Sequence, residues 1–440
     1  MSLKLAGESY FVDRRKHLQT KYSDAAFLLP ANPETLRNPD VHYEYRQDST
    51  FYYLTGFEEP NAFLFIRSDK TILFCQERDL DLELWNGERY GVERVPSIFG
   101  VDEAYPIGTL REKLPELFQE SQRIFFELGR NADTDQIVLS SIRDHRKKKG
   151  RSGSSLLPIY DPHVALGEMR LLKRPEEISN LKRATEASAK AHLDIMEITR
   201  PGMNENDIKI ELEYRFKKYG CHNLAYGTIA AGGVNACCLH YTLCNDDLKD
   251  GDLLLVDAGG EYDYYAADIT RTFPIGKTFS KEQSVIYEIV LESQKVAISS
   301  IKPGVRYTTI HSKATEVLAD GLVREKIVKG MSSSELIETG KIKRYYPHGT
   351  GHYLGMDVHD VGPYFVDESG KRESIAIEQG KVFTIEPGLY FQAYHDEISE
   401  KYRGIGIRIE DDVLVNSNGC EILTSGVPKD RLEIEKIRSM

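Results

Sequence analysis

The sequence predicts an α/β architecture in two parts, residues 1–165 and residues 166–440. Three observations lead there. At 440 residues the chain exceeds one ordinary domain. Its first third alternates helix-like and strand-like segments. Its C-terminal part reads as a diverged internal repeat.

In the first part, Phe11 to Tyr22 is charged and helical in character, and Ala25 to Leu29 and Phe51 to Leu54 read as strands. Ala62 to Ile66 and Thr71 to Cys75 read as a hairpin turned at Ser68-Asp69-Lys70. Leu110 to Phe118 has helical spacing, and Arg123 to Leu128 is a further strand. The stretch 145–155, HRKKKGRSGSS, is basic and then rich in Gly and Ser. It reads as a solvated connector rather than a nucleic-acid patch, because it is short and the chain is acidic. Arg174-Pro175-Glu176-Glu177 then opens a helix, with Pro in the first turn.

The repeat follows. One helix-like segment ends at Thr199-Arg200-Pro201-Gly202 and another at Ile301-Lys302-Pro303-Gly304, each followed by a second helix. Asp250-Gly251 leads into the apolar run Leu253 to Val256 and then Asp257. Gln379-Gly380 leads into Val382 to Ile385 and then Glu386. In both halves the carboxylate stands six residues after the glycine, and a histidine precedes the strand, His240 in one and His359 in the other. Two such units facing each other would bring both carboxylates to one centre.

Composition limits what the chain can be. Hydrophobic residues are 40% and charged residues 29%, ordinary for a soluble globular protein. A net charge of −12 argues against nucleic acid as the main partner. No run reaches the roughly 18 apolar residues of a membrane span, and the N-terminus lacks an apolar signal core. Met1-Ser2-Leu3 has the look of a cloning remnant. The six cysteines form no CxxC pair, as expected of free thiols in a reducing compartment, so the expected location is the cytoplasm.

Four segments carry chemistry. Asp257 ends an apolar strand; Gly259-Gly260 and Asp263 supply a turn, and Ala266 to Phe273 returns as a second strand. Asp257 alone would pass for a turn cap. Asp268, inside a strand-like run, would not, because burying a carboxylate is costly without compensation. The run from His348 to Asp360 holds three of the twelve histidines, His348, His352 and His359. Its glycines suggest close backbone approach and oppose the helix of an HExxH zinc site. Glu386-Pro387-Gly388 ends a buried-type strand in a sharp turn. Gly404 to Asp411 alternates, with Arg408 and Glu410 on one face and Ile407 and Ile409 on the other; taken alone it also suits a salt-bridged surface strand.

Together Asp257, Asp268, His352, Glu386 and Glu410 make four carboxylates and one imidazole. Four carboxylates cannot sit together ionised without cations, and two divalent ions would neutralise them. Oxygen-rich ligation with one imidazole suits Mn2+, with Co2+ or Zn2+ as alternatives. Such a centre is machinery for hydrolysing an amide.

These residues resemble the creatinase/aminopeptidase pita-bread metallopeptidases, and within them the proline-specific aminopeptidase P branch. The resemblance rests on Leu239-His240-Tyr241-Thr242, Val256-Asp257-Ala258-Gly259, Asp268-Ile269-Thr270-Arg271, the His348 to Asp360 run, Glu386-Pro387-Gly388 and Gly406 to Asp411. Tyr45-Arg46-Gln47-Asp48-Ser49 and Leu54-Thr55-Gly56-Phe57-Glu58-Glu59-Pro60 are also typical of the branch. The resemblance implies a creatinase-like N-terminal domain, then a catalytic domain with a curved antiparallel sheet covered by helices. It implies hydrolysis of the N-terminal Xaa-Pro bond of peptides by a water or hydroxide bridging two metal ions. The implied ligands are Asp257, Asp268, His352, Glu386 and Glu410, with Asp268 and Glu410 bridging and Glu386 also taking a proton. His240, His348 and His359 would line the substrate site, Arg408 would orient a ligand or a histidine, and Tyr390 would donate a hydrogen bond.

A dipeptide-specific prolidase uses the same centre and is the first alternative. A methionine aminopeptidase fits poorly with the large N-terminal part and its Arg46 motif. A pita-bread binding module without catalysis is opposed by the full ligand set. The expected partners are peptides with proline second, no nucleic acid and no membrane. A homo-oligomer, dimer or tetramer, is expected, with N-terminal domains helping to wall the active sites. Trp85, the single tryptophan, stands in a polar segment where a core residue is less expected.

Overall fold

Two apolar runs separated by a polar pair make the central hairpin of the N-terminal part. In the computed structural model Phe63–Arg67 pairs antiparallel with Lys70–Cys75, closing at Arg67↔Lys70. The structure describes residues 9–149, 157–368 and 370–439. Met1-Ser2-Leu3 lies outside them. The chain divides into two compact units, Met1–Leu166 and Gly167–Met440.

In the first unit the strands are β1 (Ala25–Pro30), β2 (Phe63–Arg67), β3 (Lys70–Cys75), β4 (Glu103–Pro106), β5 (Arg123–Phe125) and β6 (Ile159–Tyr160). They form one mixed sheet in the order β4-β3-β2-β1-β5-β6. Leu28, Phe65, Phe74 and Ile124 bury one face against Leu114 and Val138 of the helices Leu110–Leu117 and Ala132–Lys149. The helix Ser9–Lys21 buries Arg15, whose guanidinium donates to the carbonyls of Leu54 (2.6 Å) and Phe99 (2.8 Å). A buried cation is thereby satisfied by backbone acceptors.

Two expectations are corrected here. Residues 51–54 are not a strand but part of the helix Ser49–Thr55. Asp48 caps it by accepting from the Phe51 N–H at 2.8 Å, and Gly56 ends it with φ 66°. The helix is buried all round, so its sequence shows no period to betray it. In the proposed connector, residues 145–149 complete the helix Ala132–Lys149 and His145 is buried. Residues 150–155 lie outside the described residues.

The second unit is built from two similar halves. The first has helices α1 (Pro175–Ile198) and α2 (Glu205–Lys218) and strands β7 (Ile229–Gly232), β8 (Leu253–Asp257) and β9 (Thr270–Pro274). The second has helices α3 (Lys281–Ser299) and α4 (Tyr307–Arg324) and strands β10 (Val382–Ile385), β11 (Gly406–Arg408) and β12 (Asp411–Val415). The linking turns match closely. Gly202 and Gly304 both have φ 87°, and their N–H groups donate to Leu248 and Ile377 at 2.9 and 2.8 Å. Leu248 and Ile377 in turn each stand nine residues before the carboxylates Asp257 and Glu386. Leu253 to Val256 and Ile407 and Ile409 are buried, largely in one apolar core with α1–α4. No helix among the described residues is long and apolar enough to cross a membrane.

Candidate metal centre

The repeat positions four carboxylates. β8 pairs with β7 and β9, so that Asp257 faces Ile229 and Thr270. The Ala258 N–H donates to Ile269 at 3.1 Å and draws Asp257 and Asp268 alongside each other. In the other half β10 pairs with β12 through Ile385↔Asp411. Glu386 follows one strand and Glu410 precedes its partner. The halves are tied together where Glu410 N–H donates to Thr270 O and Asp268 N–H to Asp412 Oδ2, both 3.0 Å. The expected strand 404–411 is therefore two strands, broken at Ile409 and Glu410, where Ile409 N–H turns to Pro387 O at 3.3 Å. The inward face still carries Arg408 and Glu410. Likewise 266–273 is interrupted, and Asp268 sits in the gap between Tyr265–Ala266 and β9.

His352 comes from the glycine-rich run, which is irregular throughout. It is laid against β10 by two hydrogen bonds, Thr384 N–H to His352 O (2.9 Å) and His352 N–H to Thr384 Oγ1 (3.1 Å). The approach requires glycine at 351, where a Cβ would stand 1.8 Å from Thr384 O. His352 Nδ1 faces Tyr353 O at 3.1 Å, which assigns the proton to Nδ1. Nε2 then faces Asp268 Oδ2 at 3.4 Å and Glu386 Oε1 at 3.8 Å.

Ligand atoms of Asp268, His352 and Glu410 all lie within 4.8 Å of one another. Asp257 is held by Tyr226, whose hydroxyl donates to Oδ1 at 2.6 Å and also contacts Asp268, and by an ion pair with Arg408. Arg408 further reaches Thr270 Oγ1 (3.1 Å) and Tyr390 OH (3.0 Å), and Thr270 donates to Glu410 Oε2 at 2.6 Å. Tyr390 OH stands 2.8 Å from His348 Nε2, and His348 Nδ1 is 2.7 Å from Gly349 O. Both ring nitrogens of His348 are thus engaged. His240 and His359 have no hydrogen-bond partner among the described residues, although His359 stacks edge-on against His352 at 4.2 Å.

Burial dominates the electrostatics. It raises Glu386 to about 7 against the opposing pull of His352 and Arg408, raises Asp268, and raises Glu410 well above the carboxylate range. It lowers His348 to about 4. Burial also pulls on His352, but the Asp268 carboxylate overrides it and holds the imidazole up at about 9. Asp268, Glu386, Glu410 and His352 each favour the protonated form, so the centre is short of positive charge. The donor set fits divalent cations: hard oxygens, a neutral-capable imidazole with its outer nitrogen tied to a carbonyl, and no thiolate.

The expected site residues line one cavity of about 640 Å3, namely the carboxylates 257, 268, 386 and 410, the histidines 240, 348, 352 and 359, and Arg408; Tyr390 lies behind His348 and Arg408 instead of on the lining. Tyr226, Thr270 and Asp412 were not singled out from the sequence. Thr270 sits within a motif already noted. Tyr226 and Asp412 carried no spacing that marks them.

The comparisons agree with this geometry. Residues 179–417 match the family described as Metallopeptidase family M24, and residues 11–125 match the Aminopeptidase P, N-terminal domain. The chain is 41% identical over 418 residues to a Xaa-Pro aminopeptidase of Escherichia coli (strain K12), covering 94% of this chain and 93% of that one. It superposes on the structure of Pseudomonas aeruginosa aminopeptidase PepP with a TM-score of 0.93 at 43% identity, over 99% of both chains. A Zn-substituted E. coli aminopeptidase P in complex with product gives a TM-score of 0.93 at 39% identity, again over 99% of both. The chain belongs to metallopeptidase family M24, with an aminopeptidase P N-terminal domain ahead of the peptidase domain.

Proposed function

We propose that this chain is a metal-dependent aminopeptidase that hydrolyses the bond between the first residue of a peptide and a proline in second place. The observation that carries the reading is the convergence of Asp268, His352 and Glu410 within 4.8 Å, in a chain alike over nearly its whole length to Xaa-Pro aminopeptidases. The same full-length likeness favours the aminopeptidase over the dipeptidase. Asp257, Asp268, His352, Glu386 and Glu410 are the ligands of two ions, with Mn2+ first and Co2+ or Zn2+ as alternatives. When bound, the ions supply Lewis acidity, charge for a developing oxyanion and an acidified water.

The protein's own residues do the rest. Glu386, whose carboxylate lies 3.8 Å from both His348 Nδ1 and His352 Nε2, takes a proton from the attacking water and returns it to the departing proline nitrogen. That nitrogen leaves as an amine and must gain a proton as the C–N bond breaks, which Glu386 supplies. His240 and His359, free to donate, face the carbonyl oxygen as charge develops on it. Arg408 fixes Asp257 and, through Tyr390, the tautomer of His348.

Residues 1–165 and 166–440 are the two domains of this reading. A homo-oligomer belongs to it, supported by Trp85 and Leu84, which are 83% and 82% exposed. So does a cytoplasmic location, supported by six free cysteines of which four are buried. The test is a panel of defined peptides with Mn2+ added. Release of the first residue only where proline stands second supports the reading; no cleavage, or cleavage regardless of the second residue, defeats it.

A further inference from the structure

His240 lines the cavity from an exposed turn and has no hydrogen-bond partner among the described residues. Something else must hold it there. The residue after it, Tyr241, is buried in the other direction, its ring packed with Ile229, Ala231, Ala236 and Leu255. The Tyr241 hydroxyl donates to Glu205 Oε2 at 2.8 Å and accepts from Asn235 Nδ2 at 3.0 Å.

Glu205, the first residue of α2, is fully buried. Its Oε1 accepts from Gly232 N–H at 2.7 Å and Asn235 Nδ2 at 3.0 Å. Its Oε2 accepts from Tyr241 OH and, at 3.0 Å, from Asp246 N–H. Gly232 and Asp246 bracket the excursion that carries His240. One acceptor-only side chain therefore ties both ends of the loop and its middle, and every donor is neutral. A buried carboxylate satisfied this way tolerates few other loop conformations, because each would leave charge unpaired.

We propose that Glu205, acting through Tyr241, is a positioning residue that sets His240 against the substrate; this rests on the aminopeptidase reading. Securing the loop ends alone would not require the Tyr241 bond. That bond fixes the backbone one residue from His240.

The test uses the full chain, metal-replete, with Ala-Pro-Ala as substrate. Tyr241→Phe is expected to lower kcat about tenfold, the scale of one lost hydrogen bond, with KM and bound metal unchanged. Hydrogen exchange should quicken within residues 233–246 and nowhere else. In a His240→Ala background the same substitution should cost nothing further, because its effect runs through that side chain. Glu205→Gln should repeat the pattern. A wild-type rate in Tyr241→Phe, an undiminished additive loss in the double variant, or a wild-type rate in His240→Ala would each overturn the proposal. If the wild-type chain cleaves no Xaa-Pro peptide, the aminopeptidase reading fails instead; unchanged exchange in Tyr241→Phe then overturns the pin on its own.

Discussion

His352 turns its Nε2 to Asp268 Oδ2 at 3.4 Å while its Nδ1 faces Tyr353 O at 3.1 Å. The imidazole is thus aimed at the carboxylates, the arrangement the proposed ligand roles of His352 and Asp268 require. Replacing Asp268 by Ala should abolish tight binding of at least one of about two divalent ions, because four converging carboxylates call for roughly that charge. Metal analysis of the purified variant checks it. Full occupancy with retained activity would remove Asp268 from the centre.

His359 offers a contrasting case. It touches the ring of His352 but makes no hydrogen bond among the described residues. His359→Ala should keep its metal and lose rate on the order of 2.7–4 kcal/mol, the usual scale for a donor to a developing oxyanion. Near wild-type turnover in a metal-replete variant would refute the role.

Protons compete for the same site. In the metal-free protein Glu386 is raised from 4.5 to about 7, first by burial. Its folded pKa exceeds its unfolded one, so the folded chain holds the extra proton between those values. The stability it contributes is complete below about 4.5 and lost as pH rises through about 7. A divalent ion displaces that proton and the one His352 holds up to about 9, so the gain in Tm on adding Mn2+ should grow from about pH 5 through about pH 9. His348, lowered to about 4, gives an opposite slope up to 6.5. It is no ligand in this reading and cancels in the comparison with and without metal. A gain in Tm independent of pH would contradict protonated carboxylates at the centre.

Much of this site was legible in the sequence because it is written twice. The glycine-to-carboxylate interval survives in both halves, and the structure repeats it down to the φ of Gly251 and Gly380, 87° and 90°. What failed to show was local. The run 51–54 is wholly buried, and a short buried helix has the same apolar look as a strand. The break at Ile409 and Glu410 depends on Pro387 and Thr270, which are distant in sequence. Tyr226 enters the site because the chain leading into β7 runs beside β8 and its turn, with Ala225 N–H on Gly259 O at 2.9 Å, a pairing no local pattern announces.

The exposed helix Leu80–Asn86 buries none of its residues, and Trp85 stands almost free. That helix is expected to be covered in a homo-oligomer. Light scattering should find a dimer or tetramer, and Trp85→Ala should shift it toward smaller species. A fully active monomeric wild type would count against the assembly.

The aminopeptidase assignment turns on what lies beyond the proline. A dipeptidase must satisfy a terminal carboxylate, since a buried unpaired charge is costly, whereas an aminopeptidase leaves that side open to chain. The decisive measurement is kcat/KM for the matched pair Ala-Pro and Ala-Pro-Ala on the Mn2+-loaded protein. The tripeptide is expected to be cleaved faster. A dipeptide preferred by tenfold or more, about 1.4 kcal/mol of transition-state preference, would make the chain a prolidase.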